Sequence, residues 1–499
     1  MSKSFRPTLL YQDGRFLSGK QLDVDDAGRV TVTARDPTPV DLKGKALLPG
    51  FVNAHSHSFQ RLIRGRAESR VVSGKDFWSW RNTMYQAAAH LSPEEVYDVA
   101  RMCFLEMARA GITTVGEFHY LHNMSDGVPY DDANLMARQV IAAAQSVGLR
   151  IVLLRSAYLR SGYQLPPDPG QRRFFEKVDA FLSNIASLRA SYPENSADVR
   201  FGVAPHSIRA VPLDDLHEIV SWARSNSLPI HMHVAEQIAE NVECQREYGC
   251  TPVELLAREE LLGKDFVAVH AIHLSSEEIA AFAKTQAIVC SCPTTERNLG
   301  DGIVQVDALM KLRVRHALGS DSQAQIDSLE DARQLDYHLR LAQQQRAVLD
   351  QIDDRPIAER LFDCATIHGA QALAVESGSL RPGEYGDMVT IDLEDISVAG
   401  HTPDTLLPLI VFGANRTADR TLSTEEHLDR GATSSPPNVA KAANCVDDKR
   451  DSPITRYSRL SESSTDILAQ DPISDDIERA SPTSTKPRAT ASSESIKIC

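Results

Sequence analysis

Residues 46–58 decide the fold, and they read ALLPGFVNAHSHS. An apolar run leads directly into His55-x-His57, a pattern typical of the carboxyl end of a buried strand. Side chains at positions i and i+2 of a strand lie on one face, so both imidazoles can reach one point. Such a pair has little specificity by itself, because surface histidine pairs are common. Its meaning depends on the rest of the chain.

Seven further short apolar runs occur along the chain, separated by stretches with helical patterns. Together the eight runs predict strands near residues 47, 112, 150, 200, 230, 266, 288 and 315. One helical stretch opens with Ser92-Pro93-Glu94-Glu95, which supplies an N-cap, a first-turn proline and acidic residues. Repeated strand–helix units predict a parallel sheet, and eight of them predict a closed (β/α)8 TIM barrel, an α/β fold. A doubly wound open sheet is the alternative, but no GxGxxG or Walker A pattern supports it.

Strand-like sequence flanks the predicted barrel on both sides. Residues 1–47 alternate apolar and polar pieces around Gly and Pro, and LRPGEYGDMVTIDLED and TLLPLIVFG resume that style within residues 380–417. We therefore predict a small β-sandwich domain formed by these two segments, with the barrel at residues 48–379. Residues 418–499 are rich in Ser and Thr and poor in aromatic residues, which predicts a disordered tail.

The overall composition excludes several classes of partner. A formal net charge of −15 over 499 residues disfavours nucleic acid, because an acidic surface repels phosphates. No apolar run approaches the length of a signal peptide or a membrane span. Eight cysteines are scattered without the dense spacing of a disulfide framework. We expect a cytoplasmic protein that binds neither nucleic acid nor a membrane.

Polar residues stand at the ends of several of the predicted strands. HMHVAE ends the fifth strand with His233 and Glu236, and VAVHAIH ends the sixth with His270, which alone would be better explained as a core histidine. Asp321 comes after the eighth strand, where packing does not explain a carboxylate. The carboxyl ends of barrel strands meet at one face, so these residues should join the first histidine pair. Neutral imidazoles and a carboxylate suit Zn²⁺ or Fe²⁺, with one coordination position left for water.

At these residues the sequence resembles the amidohydrolase superfamily, in its deaminase branch. Over about residues 45–412 it closely resembles the formimidoylglutamate deiminases, in LLPGFVNAHSHSFQRLIRG, FWSWRNTMYQ, VGEFHYLH, GVAPHSIRAV, HMHVAEQ, VHAIHL, CPTTERNLGDGI and LGSDSQ. This resemblance implies hydrolysis of N-formimino-L-glutamate, a small dicarboxylate from histidine breakdown, to N-formyl-L-glutamate and ammonia. It also implies a homodimer.

The resemblance assigns a role to each site residue. One divalent metal ion, zinc with iron as the alternative, would be held by His55, His57, His233 and Asp321. The catalytic groups would be Glu236, His270 and Asp321. The substrate-binding groups would be Gln60, Arg81, Tyr120, His206 and Arg209. The two arginines suit such a substrate, because a guanidinium offers forked donors to a carboxylate.

Three alternatives remain open. A sister deaminase acting on a heterocyclic amine would share the metal ligands but would not need two carboxylate-binding arginines. A formimidoylglutamase-type enzyme would release formamide and glutamate, but its paired-metal Asp/His motifs are absent from the sequence. The third is an inactive barrel.

The sequence departs from the family at one point. The strand-like sequence that the family carries after residue 412 is not recognisable here, which would leave the small β domain incomplete.

Overall fold

The chain begins with five short strands, as its alternating N-terminal sequence predicts. The computed structural model describes residues 2–32, 38–66, 68, 77–414 and 420–422. The five strands are β1 (Lys3–Gln12), β2 (Arg15–Ser18), β3 (Leu22–Val24), β4 (Val30–Thr31) and β5 (Val40–Pro49). β1 pairs in parallel with β5, and antiparallel with β2 and β3. These strands form one part of a small mixed sheet.

Eight parallel strands form the predicted barrel. They are β6 (Phe51–Ser56), β7 (Ile112–His119), β8 (Arg150–Ala157), β9 (Val199–Pro205), β10 (Ile230–Val234), β11 (Phe266–His270), β12 (Ile288–Ser291) and β13 (His316–Leu318). They lie side by side in chain order, each parallel to the next. Sequential order with helical crossovers is the arrangement of a (β/α)8 barrel, not of a doubly wound sheet.

The barrel closes between its first and last strands. Ser56 forms a parallel bridge with Asp321. The Asp321 amide donates to the His55 carbonyl oxygen at 3.1 Å, and the His57 amide donates to the Asp321 carbonyl oxygen at 3.0 Å. The backbone of the predicted metal ligands therefore makes the closing seam.

Helices surround the barrel strands and share one continuous apolar core with them. They are α1 (Phe77–His90), α2 (Pro93–Arg109), α3 (Leu135–Val147), α4 (Val178–Ala190), α5 (Leu213–Ser225), α6 (Ile238–Tyr248), α7 (Pro252–Arg258), α8 (Ser276–Thr285), α9 (Pro293–Leu299), α10 (Val306–Lys311), α11 (Ser328–Gln343), α12 (Ile357–Cys364), α13 (Ile367–Ala372) and α14 (Pro403–Gly413). The predicted start of α2 is confirmed. Ser92 caps it by accepting from the Glu95 amide, and the Glu95 side chain accepts from the Ser92 amide.

The two ends of the described chain share the small sheet. After the barrel, β14 (Met388–Asp392) pairs antiparallel with β5, and β15 (Arg420–Leu422) pairs with β14. The strand order is β15-β14-β5-β1-β3-β4, with β2 beside β1. Phe5, Leu10 and Leu47 pack in a core that belongs to this sheet, whereas Leu9 and Leu48 join the barrel core. The sheet is therefore buried on both faces.

The run ALLPGFVNA is divided between the two sheets, so the first barrel strand begins at Phe51 and not near residue 47. Gly50 makes the division. Its amide donates to the Asp387 carbonyl oxygen at 3.0 Å, and a Cβ on it would lie 2.4 Å from the Thr113 side chain. Only a glycine lets the chain pass this close to β7 as it changes sheets.

The prediction of a strand for TLLPLIVFG is wrong, since these residues lie in α14. Thr402 caps that helix, Pro403 occupies its first turn, and the buried side chains Leu406, Leu407, Ile410 and Val411 recur with a helical period. A short unbroken apolar run has no periodicity of its own, so the sequence did not distinguish a strand from a buried helix.

The predicted disordered tail began at residue 418, but Arg420–Leu422 is strand β15. The sheet therefore continues past the predicted boundary, by backbone pairing that needs no apolar side chains. The remainder of that prediction, residues 423–499, lies outside the described residues. Within the described ranges, no helix combines the length and the apolarity needed to cross a membrane.

Candidate active site

Four side chains converge at the carboxyl ends of the barrel strands. His55 and His57 come from β6 and the turn after it, His233 from β10, and Asp321 from the turn after β13. Asp321 Oδ1 lies 3.2 Å from His55 Nε2 and 3.3 Å from His57 Nε2. His233 Nε2 lies 3.2 Å from His55 Nε2 and 3.4 Å from His57 Nε2. The sequence-predicted ligands thus come together around one point.

These contacts fit a bound cation. His57 Nδ1 lies 2.8 Å from the Phe118 carbonyl oxygen, and His233 Nδ1 lies 3.1 Å from the His206 carbonyl oxygen. A carbonyl only accepts, so each Nδ1 carries the proton and each Nε2 turns a lone pair to the centre. Lone pairs and a carboxylate facing one another require a positive charge between them. The contacts of 3.2–3.4 Å also match the edge of a tetrahedron with ~2.0–2.1 Å bonds, about 3.4 Å.

Burial and neighbouring groups keep His55, His233 and Asp321 in their metal-binding protonation states. Burial lowers the pKa of His55 to about 3, and it lowers the pKa of His233 well below the usual histidine value. Burial alone would raise the pKa of Asp321, but its close contacts with the His55 and His57 imidazoles hold that pKa well below its usual value. Neutral imidazoles beside an ionised carboxylate are the forms that bind a divalent ion.

Two further titratable groups border the centre. His270 Nε2 lies 3.8 Å from Glu236 Oε1 and 3.9 Å from Asp321 Oδ2. Burial raises the pKa of the Glu236 carboxyl. Burial opposes protonation of His270, but the nearby carboxylates of Glu236 and Glu296 raise its pKa well above the usual value. The arrangement can hold and move a proton beside the metal centre.

Left-handed backbone conformations mark the ends of these strands. Ala235, which precedes Glu236, has φ of +52°, His270 has φ of +71°, and Asp321 has φ of +47°. Side chains other than glycine rarely adopt such angles, which cost about 1 kcal/mol or more each. Strain of this kind persists where the surrounding structure fixes a functional side chain.

Sequence reasoning missed Glu296, which is buried beside His270 on α9. Its Oε1 accepts from the Cys292 amide at 2.7 Å and lies 3.2 Å from His270 Nδ1. The second contact orients the His270 ring so that its Nε2 faces Glu236 and Asp321. The segment CPTTERN places an acidic residue in the first turn after a buried strand, which could have marked Glu296 as a candidate. The sequence does not show that this side chain is buried.

The predicted substrate-binding residues line one pocket beside the four ligands. The structure brings together Gln60, Arg81, Tyr120, His206 and Arg209, with Trp80, Met84, Tyr85, Tyr158, Phe174 and Leu299 among the other lining residues. Gln60 Nε2 donates to Tyr120 Oη at 2.7 Å. The pocket therefore combines cationic and neutral hydrogen-bond donors with aromatic walls. The predictions did not include the additional aromatic residues, of which Tyr158 comes directly after a predicted strand.

The electrostatics of the two arginines differ. Burial lowers the pKa of Arg81. Burial would also lower the pKa of Arg209, but neighbouring Tyr158 and Glu240 raise it. Both groups carry a positive charge, because a guanidinium is not deprotonated in proteins. The pocket therefore contains two positive charges together with His57, His233 and Asp321.

A second cleft lies between β1 and α12, away from this site. Its ionic groups pair with one another. Arg355 Nη2 lies 2.7 Å from Glu359 Oε1, and Arg381 Nη2 lies 3.1 Å from Asp13 Oδ1. We assign no chemistry to this cleft.

Comparisons with known proteins agree with this geometry. The model of the amidohydrolase family matches residues 46–423. Formimidoylglutamate deiminase from Pseudomonas aeruginosa is 37% identical over 370 residues, which cover 74% of this chain and 81% of that protein. A 5-methylthioadenosine/S-adenosylhomocysteine deaminase from Halobacterium salinarum is 29% identical over 77% of this chain and 83% of its own.

Among solved structures, the crystal structure of an amidohydrolase from Brucella melitensis is similar, with a TM-score of 0.80 and 30% identity. The similarity covers 93% of this chain and 100% of that one. A family match over most of the chain, a close curated relative and the convergent His55, His57, His233 and Asp321 all lead to one conclusion. The chain belongs to the amidohydrolase family.

Proposed function

We propose that this protein hydrolyses N-formimino-L-glutamate to N-formyl-L-glutamate and ammonia. The observation that carries the proposal is that Arg81 and Arg209 line the same pocket as three of the four candidate metal ligands, His57, His233 and Asp321. The substrate has two carboxylates and an imine-type carbon, so it needs anion-binding groups at one end and a hydrolytic centre at the other. The 37% identity to a formimidoylglutamate deiminase supports the same substrate.

We propose one divalent ion at His55, His57, His233 and Asp321, with zinc preferred over iron. Imidazole and carboxylate ligands suit both metals, and a closed-shell ion imposes no geometry of its own on a tetrahedral set. When bound, such an ion lowers the pKa of a coordinated water from ~15.7 towards ~7. The chain's own contribution is to orient the ligands and to keep them deprotonated.

The reaction requires one C–O bond to form and one C–N bond to break at the formimino carbon. Asp321 takes a proton from the attacking water, and Glu236 carries protons to the formimino nitrogen, so that neutral ammonia leaves. His270 lies 3.8 Å from Glu236 Oε1 and orients the water or stabilises charge on the tetrahedral carbon's oxygen. Gln60, Tyr120 and the arginines hold the dicarboxylate.

The proposal extends to the protein's setting. We propose a role in histidine catabolism, a cytoplasmic location and a homodimeric assembly. The substrate chemistry supports the catabolic role, and the scattered, unpaired cysteines of the described ranges support the cytoplasmic location. The homodimer rests on the family resemblance alone.

Product analysis is the decisive experiment. Purified protein of known metal content is given N-formimino-L-glutamate, and ammonia, formamide and N-formylglutamate are measured. We expect stoichiometric ammonia and N-formylglutamate, loss of both with a chelator, and recovery with Zn²⁺ or Fe²⁺. Formamide and glutamate would instead indicate a formimidoylglutamase-type reaction. No turnover in folded, metal-loaded protein would contradict the proposal.

A second candidate is deamination of an adenosine-type heterocyclic amine, which the relative from Halobacterium salinarum favours. Such a substrate would use the same hydrolytic centre, and 5-methylthioadenosine, unlike S-adenosylhomocysteine, carries no carboxylate for Arg209. Replacing Arg209 by Ala separates the two candidates. It should abolish most turnover of N-formimino-L-glutamate and should have little effect on turnover of 5-methylthioadenosine, which carries no carboxylate.

A further inference from the structure

Two tyrosine hydroxyls lie in the substrate pocket beside the arginines. Tyr158 comes directly after β8 and is 3% exposed, whereas Tyr85 lies on α1. Both side chains line the pocket. Their Oη atoms are 3.4 Å apart. Phe174 packs against both rings, with centroid distances of 5.6 Å to Tyr85 and 5.9 Å to Tyr158. The two phenols therefore form a fixed pair.

Gln171 holds this pair from behind. It is 2% exposed, ends the short 3-10 helix Pro169–Gln171, and is not among the residues that line the pocket. Its Nε2 lies 2.9 Å from Tyr85 Oη and 3.0 Å from Tyr158 Oη. A side-chain amide nitrogen has two hydrogens, so one goes to each phenol oxygen. Each hydroxyl then accepts from Gln171 and keeps its own proton to donate.

At least one of the two phenol protons remains available for a hydrogen bond to a ligand in the pocket. The contact between Tyr85 and Tyr158 can consume one phenol proton at most. The other proton needs an acceptor. Arg81 and Arg209 offer none, because a guanidinium only donates. The Arg81 guanidinium carbon lies 5.4 Å from the Tyr85 ring centroid, and Arg209 interacts electrostatically with both phenols. This end of the pocket is thus lined by hydrogen-bond donors that an anion would satisfy.

We propose that Tyr85 and Tyr158, held by Gln171, complete the binding site for one carboxylate of the substrate. The tyrosines contact that carboxylate together with the arginines, and Gln171 is a positioning residue that acts through them. The inference rests on the proposed function, which supplies the dicarboxylate. The site makes the enzyme specific for anionic, acyclic substrates, since an uncharged heterocycle would leave these donors without acceptors.

Kinetics with three substrates test the contact. They are N-formimino-L-glutamate, the N-formimino derivative of 4-aminobutyrate, which lacks the α-carboxylate, and that of L-2-aminopentanoate, which lacks the distal one. We expect Tyr158→Phe or Tyr85→Phe to lower kcat/KM about 10-fold or more on N-formimino-L-glutamate and on one analogue. The other analogue, which lacks the contacted carboxylate, should show no loss. Equal losses on all three substrates would overturn the proposal.

Gln171→Leu tests the positioning role. It should reproduce the same pattern of losses, mainly through KM, although its side chain does not line the pocket. A merely structural role would reduce turnover of all three substrates alike. Tyr192→Phe is the matched control, since Tyr192 packs on Phe201 and is not among the pocket-lining residues. If both pocket variants behave like this control, the phenol protons point to Gln171 and the proposal fails.

Calorimetric binding of glutarate to the metal-loaded full chain separates this inference from the proposed function. If the wild type does not turn over N-formimino-L-glutamate, the proposed function fails. Glutarate binding that weakens about 10-fold in either tyrosine variant would still support the carboxylate site. Absence of glutarate binding to the wild type would overturn the site itself.

Discussion

Replacing Gly319 by Ala should damage the candidate metal centre although it replaces none of the four ligand residues. Gly319 comes after β13, in the turn that leads to Asp321. A Cβ on it would lie 2.6 Å from His55 Cβ and 2.8 Å from the His55 carbonyl oxygen. Ordinary van der Waals contact begins at 3.4 Å, so β6 and β13 would have to separate by about 0.8 Å. That displacement acts directly between His55 and Asp321.

The size of the expected loss comes from the tolerance of metal coordination. Ligand distances are held to about ±0.2 Å, so a shift of about 0.8 Å removes at least one ligand from bonding range. A misplacement near 1 Å costs about 100-fold in rate, and we expect kcat/KM to fall by about that factor, with a matching loss of bound metal. Metal content by mass spectrometry, turnover and circular dichroism together measure the effect.

Gly413→Ala is the matched control for this substitution. Gly413 ends α14, and among the described residues outside its own helix backbone and chain neighbours no atom lies within 4 Å of the position that its Cβ would occupy. The control should keep the metal and full turnover. If Gly319→Ala likewise retains its metal and near wild-type kcat/KM, the inference that the closing seam sets the ligand geometry is refuted.

Three further outcomes are expected. Glu236→Gln should keep its metal but lose about 100-fold or more in kcat, and wild-type turnover would exclude the proton-relay role. Asp387→Asn should lower the free energy of unfolding by about 3–5 kcal/mol, because it leaves Arg150 charged and 1% exposed. The double variant Arg150→Met with Asp387→Leu should recover most of that loss in the same denaturation experiment, and a double variant as unstable as the single one would contradict this reasoning. Chelation should lower the thermal midpoint, because an ion at 100 times its Kd stabilises the fold by ~2.7 kcal/mol, and an unchanged midpoint would argue against a bound ion.

Much of the candidate metal site was predictable because strand ends are visible in a sequence. An apolar run that stops at a histidine or an aspartate identifies both the element and its end, and barrel topology then brings such ends together. His233 and Asp321 meet for this reason, although 88 residues separate them along the chain. The predicted fold and ligand set needed no information beyond these runs and the resemblance.

Other features depend on tertiary contacts that leave no local pattern. Glu296 contacts His270, and Gln171 contacts Tyr85 and Tyr158. In the sequence, however, neither residue can be distinguished from the many glutamates and glutamines that are exposed. The sequence of α14 was interpreted as a strand because nearly all its residues are apolar, so it shows no alternation of polar and apolar faces. The division at Gly50 results from the proximity of Thr113, which only the packed structure reveals.

The closing seam also determines when, during its synthesis, the chain can close its barrel and complete the candidate metal site. His55 and Asp321 are 266 residues apart, and contacts of such long range form late because the loop-closure entropy must be overcome first. A nascent chain that has exposed its first seven barrel strands presents imidazoles but lacks both the carboxylate and the partner strand. Ion capture and barrel closure therefore coincide, and a product truncated before residue 321 would acquire neither.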